Sequence, residues 1–167
     1  TMKKTVPKIR AGTILADRIR CISPVDGSLY AERKPAKNKE VHNAFRLARL
    51  AQDGWKRRSI EERAGFCLKA VDAMLAMKDE IVPELAWQMG RPVRYGAGEL
   101  RGFEERARYM VSIAAQALKA VDPGPKDGFV RYIRREPVGV VFTVAPWNYP
   151  YLTAVNSIIP ALMAGNS

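Results

Sequence analysis

Cysteine is scarce here: there are two in 167 residues, Cys21 and Cys67, in unrelated contexts and without C-x-x-C or metal-ligand spacing. A secreted chain of this size more often carries a disulfide framework, so a reducing cytoplasm is the expected setting. Histidine is scarcer still. His42 is the only one and has no partner pattern around it, which leaves metal-centre and catalytic-triad chemistry without support and predicts no metal site. No window approaches the ~18 uncharged apolar residues of a membrane span. The basic start T-M-K-K-T-V-P-K-I-R has no apolar segment behind it, so a soluble, untargeted protein with no membrane partner is expected. Long runs of one charge are missing too. The chain carries 28 Lys and Arg against 17 Asp and Glu, a formal +11, but K-R-R at 56–58, R-G-F-E-E-R-A-R at 101–108 and R-Y-I-R-R at 131–135 are short and interrupted. Without blocks of about five or six like charges, and without a nucleic-acid-binding signature, the excess reads as solvated faces or salt bridges between subunits. No nucleic-acid partner is expected.

What is present is ordinary globular usage, 47% hydrophobic and 27% charged residues. Residues 14–31 read as two short strands around S-P-V-D-G at 23–27, where Asp-Gly supplies the turn. From Asn38 the period becomes helical, with Val41, Phe45, Ala48, Ala51 and Trp55 at steps of three and four. Ser59 and Glu62 form a capping box before the stripe Ala64, Cys67, Leu68, Val71, Met74, Leu75. This places Cys67 in a core. A third helix near 80–89 stops at Gly90 with Pro92 beyond it. A fourth keeps Leu100, Phe103, Ala107, Met110, Ala114, Leu118 and Val121 on one face. G-A-G-E-L-R-G at 96–102 has one residue too many before its third glycine for a dinucleotide fingerprint and follows R-P-V-R-Y rather than a buried strand, so it reads as a helix entry. D-P-G-P-K-D-G at 122–128 is the clearest breaker and the best candidate for a domain crossing. After it, F-V-R-Y-I-R-R alternates like a half-exposed strand able to cross to another subunit.

The last unit differs in kind. V-G-V-V-F-T-V at 138–144 is a continuous apolar run of the sort that parallel sheets bury on both faces, and an apolar helix over 151–164 closes at Gly165 and Asn166. Strand, tight loop and helix open a doubly wound α/β sheet, whose ligands bind beyond the carboxyl ends of the strands. A-P-W-N-Y-P stands there: Pro146 and Pro150 restrict a loop that holds one asparagine between aromatics. The Asn148 carboxamide can donate to an oxygen gaining negative charge, as in an oxyanion hole. The alternative is that Asn148 only caps the helix beginning near Tyr149.

The segment R-E-P-V-G-V-V-F-T-V-A-P-W-N-Y-P-Y-L-T-A-V-N-S-I-I-P-A-L-M-A-G-N-S at 135–167 resembles a signature of the NAD(P)-dependent aldehyde dehydrogenase superfamily. S-P-V-D-G, the helix ending in Trp55, W-Q-M-G-R-P at 87–92 and the following G-E-L extend the likeness in the family's order. The resemblance implies an α/β, aldehyde dehydrogenase-like fold. Residues 1–121 would form the N-terminal part of the cofactor-binding domain, 122–137 an oligomerisation arm, and 138–167 the first βα unit of the nucleotide-binding sheet. It also implies an aldehyde substrate, NAD or NADP as cofactor, and a homo-dimer or tetramer. Asn148 would be the oxyanion donor, and Val144, Ala145, Pro146 and Trp147 would line the nicotinamide side of the cofactor cleft. Tyr149, Thr153 and Asn156 would line the substrate tunnel, although a plain polar helix stripe accounts for the same three. The sequence stops at G-N-S, before the family's ribose-contacting strand, its glycine turn, its general base and its cysteine nucleophile; neither Cys21 nor Cys67 matches the last. Two expectations follow: the chain is the N-terminal part of an aldehyde dehydrogenase and inactive alone, or it is a truncated, non-catalytic fragment that only associates with subunits of its family.

Overall fold

Asp26 and Gly27 turn the chain back at its first element. The Ser28 amide donates to Asp26 Oδ1 at 2.9 Å, and Gly27 takes φ 77° at no cost in Cβ contacts. The computed structural model describes residues 18–167, so the expected strand positions 14–17 lie outside the described residues. Strand β1 (Ile19–Ile22) pairs antiparallel with β2 (Leu29–Arg33), with Ile19 opposite Arg33, Cys21 opposite Ala31, and an irregularity after Cys21. Arg18 and Arg20 both bond the Glu32 carboxylate across the pair, which lowers the Glu32 pKa from its ordinary value, Arg20 contributing most.

Five helices follow: α1 (Asn38–Trp55), α2 (Ile60–Ala76), α3 (Lys78–Met89), α4 (Val93–Leu118) and α5 (Pro150–Met163). The capping box of α2 is formed as expected, with the Glu62 amide on Ser59 Oγ at 3.1 Å and the Ser59 amide on Glu62 Oε2 at 2.8 Å. Gly90 ends α3 in the left-handed conformation, φ 76°. The central helix is α4, against which α2, α3 and α5 all pack. One core joins Cys67 and Val71 of α2, Ala107 and Ala114 of α4, and Val155, Ile159 and Met163 of α5. A smaller one joins Ile81 and Leu85 of α3 to Leu100 of α4. The glycines of G-A-G-E-L-R-G lie inside α4, and the first and last of them are contact surfaces: a Cβ on Gly96 would lie 2.8 Å from Val82 Cγ1, and one on Gly102 would lie 2.7 Å from Leu152 Cδ1. They let α3 and α5 approach closely.

Helix α1 departs from its expected packing. Val41 and Phe45 are exposed, and the helix is tied in by polar bonds at its far end. Gln52 Nε2 donates to the Gly165 carbonyl at 3.1 Å, Trp55 Nε1 to the Leu162 carbonyl at 2.9 Å, and the Ala48 carbonyl accepts from Ser167 Oγ at 2.9 Å. Beneath them the buried Arg63 of α2 donates to the Met163 carbonyl at 3.0 Å.

Residues 122–137 form no ladder beyond the single bridges Val121–Ile133 and Lys126–Phe129. The alternating segment at 129–135 lies exposed, because beyond the Ile133 pairing with Val121 no neighbouring strand among the described residues runs along it. The apolar run at 138–144 is likewise not a regular strand, but its start carries a parallel pairing. The Ser167 amide donates to the Gly139 carbonyl at 3.0 Å, and the Val141 amide donates to the Ser167 carbonyl at 2.8 Å. One residue bracketed by two bonds to alternate residues of its neighbour is the parallel pattern, and α5 makes the crossover. Asn166, buried, locks the junction: its Oδ1 accepts from the Gly139 amide at 2.9 Å and its Nδ2 donates to the Ala161 carbonyl at 3.1 Å. The crossover expected of a βα unit is therefore present in α5 and this pairing, although 138–144 forms no regular strand.

Candidate active site

The loop between the extended run and α5 carries the candidate residues. Pro150 occupies the first turn of α5, where its missing amide hydrogen is no loss. The N-cap position belongs to Tyr149, φ −143° and ψ 63°, and no side chain of the loop caps the helix. Asn148 is therefore not the cap, and the capping alternative is set aside. The helix amides are met from elsewhere: Glu99 Oε1 of α4 accepts from the Tyr151 amide at 2.9 Å and the Leu152 amide at 3.4 Å. Glu99 is 1% exposed, so this carboxylate is an internal cap at the positive end of a helix.

Arg91 completes the arrangement. One guanidinium nitrogen bonds Glu99 Oε2, another donates to the Asn148 carbonyl, and the guanidinium carbon stands 4.1 Å from the centroid of the Tyr149 ring. The Asn148 backbone is thus gripped while its side chain lies exposed, with no hydrogen bond to its carboxamide among the described residues. A cleft of about 490 Å³ opens beside it, lined by Gly90, Arg91, Tyr95, Trp147, Asn148 and Tyr149 among others. An unbonded amide donor on a braced loop at a cleft mouth can meet an oxygen that acquires charge.

The other expected residues divide. Val144 and Trp147 are 78% and 77% exposed, and Pro146 is exposed beside them, while Ala145 is half-buried. They form an open apolar rim next to Asn148. Thr153 and Asn156 lie exposed on α5, whereas Tyr149 stands outside the helical repeat with its ring against Arg91. Asn156 Oδ1 accepts from Arg106 Nη1 of α4 at 3.3 Å. Cys67 is sealed in the core, and burial pushes its thiol pKa up from the ordinary value, which disfavours the thiolate a nucleophile needs. Burial also raises the Tyr151 phenol pKa, with Glu84 and Glu99 adding to it. Arg91 and Glu99 are the functional candidates that reasoning on residue types overlooked. The motifs W-Q-M-G-R-P and G-E-L contain both, but nothing in their spacing says that they meet a loop some fifty residues on.

The family model for aldehyde dehydrogenases matches residues 13–167. The chain belongs to the aldehyde dehydrogenase family. It is 34% identical over 149 residues to the 3,6-anhydro-alpha-L-galactose dehydrogenase of Streptomyces coelicolor, covering 87% of this chain and 30% of that one. Its fold matches the NADP-dependent glyceraldehyde-3-phosphate dehydrogenase of Bacillus halodurans, solved with NADP, at TM-score 0.80 and 27% identity over 90% of this chain and 33% of the other. It also matches PnpE in complex with nicotinamide adenine dinucleotide at TM-score 0.83 and 28% identity, over 92% of this chain and 32% of that one. The chain thus spans about a third of the length of the aldehyde dehydrogenases that it matches. The fold class implied by P-W-N-Y-P and its flanking motifs is the one observed: an aldehyde dehydrogenase-like hairpin, helices and first βα unit. Among the described residues, no helix is long and apolar enough to cross a membrane.

Proposed function

We propose that this chain is the N-terminal part of an enzyme that oxidises an aldehyde to a carboxylic acid with NAD or NADP. A cysteine thiolate supplied outside these 167 residues attacks the aldehyde carbon, and the carbonyl oxygen takes up the charge. Asn148 donates its carboxamide hydrogen to that oxygen, and the observation that carries this role is an exposed, unbonded side chain on a backbone held by Arg91. The donor is in place before reaction, so little reorganisation is needed as charge develops. When bound, NAD or NADP supplies the hydride acceptor. The bare apolar surface of Val144 and Trp147, with Ala145 and Pro146 between them, suits the face of a nicotinamide ring. Thr153 and Asn156, with Tyr149 at the entrance, form one wall of the aldehyde's path. Residues 1–121 and 138–167 belong to the cofactor domain on this reading. The exposed segment 122–137, with Phe129, Val130, Tyr132 and Ile133 uncovered, is an arm for a homo-dimer or tetramer.

The test is Asn148→Ala in the full-length protein. Loss of one such donor is expected to lower kcat about 10²- to 10³-fold. Unchanged turnover would remove the oxyanion role. A second reading, a fragment that only associates with family subunits, draws on the burial of Cys67, which leaves the core thiol unfit as nucleophile. Aldehyde oxidation by the 167-residue chain alone would contradict both readings; the enzyme reading expects turnover only when the missing nucleophile and base are supplied.

A further inference from the structure

Glu99 is a charged side chain sealed inside the molecule, and both of its oxygens are spent on the turn that carries Asn148. Its side chain is 0% exposed, and that of Arg91 12%. A buried carboxylate is tolerated only when paired and hydrogen-bonded. Here Oε1 receives the Tyr151 and Leu152 amides, and Oε2 receives Arg91. Arg91 passes the constraint on to the Asn148 carbonyl and stacks on Tyr149, and so reaches the two residues that link the loop to α5. The fixed points are therefore the carbonyl of residue 148 and the amides of residues 151 and 152. They flank the carboxamide of Asn148 without touching it, which is what holding a donor without consuming it requires.

We propose that Arg91 and Glu99 are positioning residues for the Asn148 donor, setting the backbone turn from which its carboxamide is aimed. This rests on the oxyanion reading of Asn148. Guanidinium suits the task because it bonds two acceptors in one plane and stacks on an aromatic face, whereas a lysine ammonium at the same place offers one compact point charge. The turn's short-range residues cannot do it, since Pro150 has no amide hydrogen and Tyr149 provides no side-chain cap.

The experiment is a double-mutant cycle in the full-length protein, with Arg91→Met and Asn148→Ala made singly and together. The expected result is that Arg91→Met lowers kcat about ten- to a hundredfold, as misplacement of a catalytic group by up to about 1 Å does, and that the loss disappears once Asn148 is alanine. KM for the aldehyde should change less than about threefold, because the donor acts on the transition state rather than on ground-state binding. An equal loss in both backgrounds would mean a general structural role and overturn the proposal, as would no loss at all. If Asn148→Ala is costly and Arg91→Met is harmless, only the positioning role fails. If Asn148→Ala is itself harmless, the oxyanion reading fails and takes this one with it. Should Arg91→Met not fold, Arg91→Lys and Glu99→Gln enter the same cycle, where a kcat loss that persists without the Asn148 carboxamide counts against the proposal.

Discussion

Gly96 has no room for one more carbon. A Cβ there would meet Val82 at Cγ1, 2.8 Å, at Cβ, 3.3 Å, and at the backbone Cα, 3.4 Å, so α3 itself would have to move. At Gly102 the obstacle is the tip of Leu152, which can rotate away. Gly65, also inside a helix, has nothing within 4 Å. Three chemically identical substitutions should therefore separate. Gly96→Ala is expected to destabilise by about 1–3 kcal/mol through overpacking, and Gly102→Ala by less. Gly65→Ala should stabilise by about 0.5–1 kcal/mol, because alanine costs less backbone entropy in a helix. Urea unfolding of the three variants checks the order, and a Gly96→Ala no less stable than Gly65→Ala would contradict the packing argument. That G-A-G-E-L-R-G was a helix and not a phosphate loop was legible in the residues before it. That its glycines seat two other helices was not, since Val82 and Leu152 are known as neighbours only once the chain is folded.

At the scale of elements, the legible features are those that a few consecutive residues decide. Ser59 and Glu62 satisfy each other's backbone within four residues, and Gly90 takes the left-handed turn that ends α3. Ser59→Ala is expected to cost about 1 kcal/mol, read as a lower urea midpoint with unchanged slope, and Ser59→Asp to restore most of it. Equal midpoints for Ala and wild type would show that α2 is held by its core contacts alone. The extended segments behave otherwise. Both 129–135 and 138–144 have strand-like composition, yet a strand extends only where a partner supplies successive hydrogen bonds, and here each partner is a single residue, Val121 for Ile133 and Ser167 for Gly139 and Val141. The stripe of α1 misled for a related reason. Val41 and Phe45 have helical spacing, but periodicity reports that a face is apolar, not what covers it.

For the whole molecule, apolar residues are exposed along much of the chain, but the most exposed of them lie in one segment. Val130 at 96%, Val138 at 83% and Phe142 at 90% join Val144 and Trp147 along the segment between α4 and α5. Contiguous apolar surface beside unpaired backbone is a site for association. The 167-residue chain purified alone is expected to bind a hydrophobic dye and to grow in mass with concentration by light scattering, and Phe142→Ser with Val144→Ser should weaken both. A monodisperse, dye-silent chain would show that this surface is satisfied within the chain.

The sequence by itself determined the cap that starts α2, the glycine that stops α3, that Cys67 is core, and that a proline-restricted loop carries Asn148 beyond an apolar run. These rest on caps, periodicity and proline restriction, all of which act within a few residues. Periodicity carried the fourth helix too far, since α4 ends at Leu118 and Val121 pairs with Ile133 instead. Only the tertiary structure decided what holds that loop. Arg91 reaches the Asn148 carbonyl across 57 positions, and Glu99 reaches the Tyr151 amide across 52. A hydrogen bond depends on distance in space, and the packing of α4 against α5 is what brings those groups within reach.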